Sequence, residues 1–229
     1  ALLERSCSKI LFYHPKHHQM MESIYEAMKK GENNVVVEKF VCMSVDYIDK
    51  KCVWPSDNDA FVDIYEWIRQ GRSLYVAGDT KINTMPINTE EPRIILFTSG
   101  TTGNPKMAAH KHTYALGHFV TAKYWHCCER DGLHLTISDT GWGKSLWGKL
   151  YGQWLCEGAV FVYDFDKFDA DDILPMFAKY NITTFCAPPT MLRMLIKSDL
   201  SKYDLSSIHH MTTAGEALNP EVFRQFEEA

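Results

Sequence analysis

The chain reads as an α/β protein, a layered and largely parallel sheet flanked by helices. Three observations predict this. The first ninety of its 229 residues alternate short apolar runs with amphipathic stretches. From Pro92 onward, strand-like and helix-like patterns repeat in regular alternation, as parallel α/β layers require. Arg93–Phe97 (RIILF) is almost uninterruptedly apolar, the pattern of a strand covered on both faces.

Taken in order, Lys9–Tyr13 (KILFY) and Val35–Cys42 (VVVEKFVC) read as strands, being rich in β-branched and aromatic residues. Asp57–Gly71 reads as a helix: Asp57 or Asn58 can cap it, Phe61, Ile64, Tyr65 and Ile68 form its stripe, and Gly71 can end it. Asp79–Pro92 is polar with two prolines and reads as a linker or long loop. After the strand at Arg93–Phe97 come a Gly/Thr-rich loop and a helix predicted over Lys111–His126. Strands are then expected at Leu133–Ile137, Ala159–Tyr163, Ile182–Cys186 and Ile208–Thr213. Helices are expected at Lys144–Glu157, Ala170–Tyr180, Thr190–Lys197 and from Asn219-Pro220 onward. Asp169 is a candidate cap, Pro220 suits the first turn of the last helix, and Pro175 sits awkwardly inside the helix over Ala170–Tyr180. The predicted organisation is residues 1–92 as part of a first α/β subdomain and residues 93–229 as a second α/β region.

Bulk properties exclude several classes. The net charge of −5 comes without a basic stripe, so nucleic acid is not an expected partner. No apolar run approaches the roughly eighteen residues of a membrane span, and Ala1–Arg5 shows no secretory pattern. The seven cysteines, Cys7, Cys42, Cys52, Cys127, Cys128, Cys156 and Cys186, are odd in number and form no C-x-x-C pair. They predict free thiols and a cytoplasmic protein. His14, His17 and His18, then His110 and His112, are the histidine clusters. Neither has a cysteine or carboxylate at ligand spacing, and no metal ligand is assigned.

Thr98-Ser99-Gly100-Thr101-Thr102-Gly103-Asn104-Pro105-Lys106 follows the apolar strand and is predicted to precede a helix. Gly100 and Gly103 permit positive φ and close approach of backbone N–H groups to an anion. Ser99, Thr101 and Thr102 add hydroxyls and Lys106 a charge. A triphosphate matches that donor set; the alternative is a solvated turn of ordinary turn residues. The spacing is not that of a P-loop, because Asn104 and Pro105 separate Gly103 from Lys106 and Met107 follows where a hydroxyl should stand.

Thr98–Lys106 does resemble the phosphate loop of the adenylate-forming superfamily, [ST]-S-G-[ST]-T-G-x-P-K, at every fixed position. Three further segments carry the resemblance. Ser138-Asp139-Thr140-Gly141-Trp142 is similar to the D-x-G-W segment of medium-chain acyl-CoA and acetyl-CoA synthetases, which makes Gly141 and Trp142 candidates for the acyl site. The other reading of Trp142 is a core tryptophan. Ala187-Pro188-Pro189-Thr190 resembles a strand-to-helix turn beside that pocket. Thr213–Leu218 looks like the G-E-x-L segment alongside adenine, which implicates Gly215, Glu216 and Ala217.

The resemblance implies part of the large N-terminal domain of an AMP-forming acyl-CoA synthetase. Such an enzyme joins a carboxylic (fatty) acid to the α-phosphate of ATP and passes the acyl group to CoA. Lys106, with Thr98, Ser99, Gly100, Thr101, Thr102 and Gly103, is expected to hold phosphates in a supporting role, and no nucleophile is assigned. The family's Mg²⁺-binding glutamate, ribose-binding aspartate and adenylation lysine have no counterpart. A truncated piece that does not turn over alone is therefore expected. Two alternatives stay open: an adenylation domain serving a carrier protein with an amino or aryl acid, and a non-catalytic nucleotide-binding module.

Overall fold

The structure, a computed structural model, describes residues 2–43, 58–76, 86–98, 103–165 and 167–229. The chain divides into two compact units, Ala1–Pro86 and Ile87–Ala229.

In the first unit a short helix, α1 (Leu2–Ser6), precedes β1 (Ile10–Tyr13), α2 (His18–Lys29), β2 (Lys39–Cys42), β3 (Phe61–Asp63) and α3 (Ile64–Val76). The strands form a parallel sheet in the order β1-β2-β3. Its face is covered by the apolar stripe of α2, where Met21 is buried and Ile24, Tyr25 and Met28 pack. Phe40 and Phe61, in register across β2 and β3, stack with centroids 4.9 Å apart. Between β1 and α2, Pro15–His17 makes a 3-10 turn capped by the His14 ring.

Two expectations are corrected here. The strand predicted over Val35–Cys42 is paired only over Lys39–Cys42. The helix predicted over Asp57–Gly71 begins as strand β3, because Phe61–Asp63 finds β2 as a pairing partner and that pairing overrides the helical stripe. Asn58 holds a turn before the strand, its Oδ1 accepting from Ala60 N at 3.0 Å. Asp63 is the true helix cap, its Oδ1 accepting from Tyr65 N at 2.9 Å and Glu66 N at 3.2 Å. Gly71 lies within α3. Asp57 lies outside the described residues, as does the linker segment 79–85.

The second unit opens with an antiparallel hairpin, β4 (Pro92–Thr98) and β5 (Lys106–Lys111). This corrects the reading of Arg93–Phe97 as a strand buried in a parallel sheet: Ile95 and Phe97 stay 43% and 36% exposed. The phosphate-type loop joins two strands rather than leading into a helix. The helix starts later, as α4 (Tyr114–Val120), and runs on as a π-helical turn over Thr121–Trp125.

The remainder is β6 (Leu133–Thr136), α5 (Gly143–Trp147), α6 (Tyr151–Leu155), β7 (Ala159–Phe161), α7 (Ala170–Tyr180), β8 (Thr184–Cys186), α8 (Pro189–Leu195), β9 (His210–Thr212) and α9 (Pro220–Glu228). Four parallel strands pair in the order β7-β6-β8-β9. The helix predicted over Lys144–Glu157 is broken into α5 and α6 at Gly148, where a Cβ would lie 2.8 Å from Lys144 O. The cap read from sequence is in place, Asp169 accepting from Asp171 N, and the structure adds a second, Asn219 accepting from Glu221 N. Pro175 is accommodated inside α7.

Period-two alternation gives this sheet two chemically distinct faces. Leu135, Ile137, Phe185 and Ala187 face an apolar core with Ile173, Leu174 and Phe177 of α7 and Leu192 and Leu195 of α8. His134, Thr136, Thr184 and Thr212, equally buried, belong to a hydrogen-bonded polar layer. His134 Nε2 lies 3.0 Å from Gly148 O and 2.8 Å from the Thr136 hydroxyl, and Nδ1 lies 2.7 Å from that of Thr184. A carbonyl only accepts, so Nε2 carries the proton and Nδ1 accepts from Thr184. His126, after the π-helical turn, bonds the Thr212 hydroxyl at 2.9 Å and packs edge-on against His134 at 4.7 Å. Gln153 of α6 also donates to Gly148 O.

Close approach of α4 and α6 depends on one glycine. A Cβ at Gly152 would lie 2.4 Å from His118 O and 2.6 Å from Ala122 Cβ. Backbone cannot yield as a side chain can, so Gly152→Ala is expected to cost about 2 kcal/mol. Urea denaturation of the two proteins checks this, and an unchanged midpoint would mean the helices slide apart freely.

Candidate active site

Three of the predicted segments leave the carboxyl ends of three adjacent parallel strands. Thr136, Cys186 and Thr212 end β6, β8 and β9 in register. Bonds from Ile137 N to Cys186 O at 2.9 Å and from Ala187 N to Thr212 O at 3.2 Å extend the ladder past the strand ends. The Thr213 hydroxyl adds a bond to Ala187 O at 2.8 Å. This edge of an open parallel sheet is where such folds bind ligands.

After β6, Asp139 Oδ1 accepts from Gly141 N at 2.7 Å, and Trp142 N donates to Asp139 O at 3.1 Å. The turn presents the indole outward: Trp142 is 71% exposed, which rules out the core reading. Ser145 fixes the turn from α5, its hydroxyl donating to Trp142 O at 2.8 Å. After β9, Gly215 has φ +101°, which glycine tolerates without strain, and Gly215, Glu216 and Ala217 are all exposed.

The hairpin meets the first of these segments. A Cβ on Gly143, the residue after Trp142, would lie 3.1 Å from Leu96 Cδ1 of β4. Arg93 stands over the Tyr151 ring at 5.8 Å, and His110 packs on Tyr114 at 4.2 Å. Thr98 and Lys106 are the last pair of the hairpin, and both are exposed. Gly103 takes φ +85° with open space around its Cβ position. Ser99, Gly100, Thr101 and Thr102 lie outside the described residues.

Sequence reasoning missed the partners of Glu216. Its carboxylate bonds Thr190 and Arg193 of α8, and the Thr190 hydroxyl, then the Arg193 guanidinium, hold it below the usual glutamate range. It also missed the polar layer behind the site. Burial first, then the electrostatic influence of His134, Lys144 and His210, pushes His126 down to about 3. Burial likewise pushes His134 down to about 4, and that of the Cys128 thiol up to about 11, so this thiol is inert at neutral pH. Lys144 Nζ is buried with no hydrogen-bond partner among the described residues. Of the histidines weighed as metal ligands, His18 bonds the Tyr13 hydroxyl at 2.7 Å, and His110 packs on Tyr114. No metal-holding group of three His, Cys, Asp or Glu occurs among the described residues.

A parallel sheet bearing these segments at its carboxyl edge, with the β4–β5 hairpin meeting the first of them, is consistent with an adenylate-forming type of α/β domain. The chain belongs to the family described as AMP-binding enzyme, whose model matches residues 1–229. It is 36% identical over 191 residues to the acyl-coenzyme A synthetase ACSM4, mitochondrial, of Homo sapiens, covering 83% of this chain and 32% of the relative. It is 32% identical over 212 residues to ACSM3, mitochondrial, of Rattus norvegicus, covering 89% of this chain and 35% of the relative. The chain thus spans about a third of the length of these relatives.

Two solved structures share the fold. An anthranilate CoA ligase, AuaEII, in complex with anthranoyl-AMP matches with a TM-score of 0.74 at 20% identity, over 100% of this chain and 40% of that one. A luciferase-like enzyme from the nonluminescent Zophobas morio mealworm matches at 0.68 and 16% identity, over 99% of this chain and 47% of that one. The relatives' names place them in mitochondria, which overturns the cytoplasmic expectation. Free cysteines report a reducing environment, and that property does not single out the cytosol.

Proposed function

We propose that this chain carries the phosphate-, adenine- and acid-binding part of an AMP-forming acyl-CoA synthetase. The observation that carries the reading is the placement of the Gly141–Trp142 and Gly215–Ala217 segments at the carboxyl edge of one parallel sheet. The relatives' names, acyl-coenzyme A synthetases, support CoA as the thiol acceptor over a carrier protein.

In the first half-reaction a carboxylate oxygen attacks the α-phosphorus of ATP, the bond to the β-phosphate oxygen breaks, and acyl-AMP and pyrophosphate form. In the second, the sulfur of CoA attacks the acyl carbon and AMP leaves with the bonding electrons. Lys106 and the hydroxyls of Thr98, Ser99, Thr101 and Thr102 hold the β- and γ-phosphates, with Gly100 and Gly103 letting backbone N–H groups approach. Preorganised donors of this kind stabilise the charge that grows on the departing pyrophosphate. The backbone of Gly215–Ala217 lies along adenine, and Trp142 with Gly141 walls the acyl site, narrowing it toward short or medium chains. Mg²⁺, where it is used, would be carried by the triphosphate and would neutralise phosphate charge there. Asp139 holds a turn and Glu216 is bonded to α8, so these two carboxylates do not fit as the oxygen cage a hard cation needs.

The test is exchange of labelled pyrophosphate into ATP by the intact protein, run with and without short- and medium-chain fatty acids. Exchange that requires an acid, followed by CoA-dependent release of AMP, is expected. Exchange with no acid present, or none with any acid, would rule the reading out.

A further inference from the structure

Glu216 stands next to the strained-for-others turn at Gly215, yet its carboxylate points back to α8. The Thr190 Oγ lies 2.7 Å from both Oε1 and Oε2. Arg193 Nη2 donates to Oε2 at 2.9 Å and to the Thr190 hydroxyl at 2.8 Å. The three groups close a ring. The donor-only guanidinium serves both neighbours, the hydroxyl accepts from it and donates onward, and the acceptor-only carboxylate receives both.

Thr190 and Arg193 are one turn apart on α8, so they share a face, while Leu192 and Leu195 of the same helix are buried in the core. The ring therefore ties the loop after β9 to a helix anchored in the core after β8. Its ion pair is 42% and 41% exposed, and exposed pairs add little to global stability. What three charge-assisted bonds can do at such a place is fix a loop's geometry.

We propose that Thr190 and Arg193 are positioning residues for the nucleotide: by clamping Glu216 they hold the Gly215–Ala217 backbone in the conformation that receives adenine. This rests on the function proposed above. It also gives Glu216 a different task from direct contact, since its oxygens are already engaged.

The test uses the intact protein and separates the KM for ATP from the KM for the acid. Thr190→Val keeps the side chain's shape and removes the hydroxyl; it raises the KM for ATP about tenfold and leaves that for the acid within about twofold. Thr190→Ser restores ATP affinity. Arg193→Met weakens ATP to a similar degree, and the double variant is no worse than the poorer single one, because one ring is broken either way. An unchanged KM for ATP in Thr190→Val overturns the proposal. So does a parallel rise of both KM values with a fall in Tm, which would make the ring a merely structural brace. Wild-type protein that binds no ATP at all would instead refute the nucleotide reading itself.

Discussion

On the function proposed above, Lys106→Ala in the intact protein is expected to lower kcat/KM for acid activation by about a hundredfold to a thousandfold, the usual cost of removing one preorganised donor from a developing negative charge. The side chain stands at the end of the β4–β5 hairpin, opposite Thr98 and exposed. It supports no core packing, so the melting temperature should stay within about a degree of wild type, as for other surface substitutions. That separation makes the result readable. Pyrophosphate exchange and thermal melting, measured on the same preparations, check it. A loss smaller than about threefold would remove Lys106 from the phosphate site; a large loss accompanied by unfolding would assign it to the hairpin instead.

The second large effect is a loss of stability in mild acid. His126 and His134 are neutral and buried in the folded chain, pushed down to about 3 and about 4, whereas an unfolded histidine titrates near 6.5. The unfolded state therefore takes up protons first as the pH falls. Stability from these two groups is complete above about pH 6.5 and is lost progressively below it, down to the folded values. At pH 5 the loss is about 2 kcal/mol for each histidine, an order-of-magnitude figure from the same linkage. Urea unfolding at pH 7.5 and pH 5 measures it. His134→Gln, which keeps hydrogen-bonding capacity but does not titrate, should flatten about half of the slope. An equally steep slope in that variant would place the acid sensitivity elsewhere.

Much of the second unit was legible because its signals are local. Asp169 sits before its helix and caps it, Pro220 falls in the first turn of the last helix, and Leu133–Thr136 and Thr184–Cys186 are strands within a residue or two of where β-branched and aromatic side chains cluster. The phosphate loop was legible by composition, but its setting was not. Lys106–Lys111 (KMAAHK) is mostly alanine and lysine, poor strand formers, and becomes a strand only through pairing with β4. No short turn of the Asn-Gly kind advertises that pairing. Phe61–Asp63 failed the same way, since its partner β2 is distant in sequence. The polar layer was hidden for another reason. His134 and Thr136 alternate with leucines, a pattern that resembles a solvent-facing edge, and only helices on both sides of the sheet turn those positions inward. The Glu216 ring joins residues more than twenty positions apart, with no motif to announce it.

The two-faced chemistry of the central sheet also bears on how the chain finds its fold. Slipping β6 against β8 by one residue would carry His134 and Thr136 into the layer of Phe177 and Leu174, and Leu135 among the threonine hydroxyls. Every side chain would be mismatched at once. An all-aliphatic parallel sheet lacks that discrimination, because one leucine serves nearly as well as the next. Here the histidine and threonines act as a checksum on alignment, so misregistered intermediates should be short-lived and the strand ends that carry the ligand segments arrive level with one another.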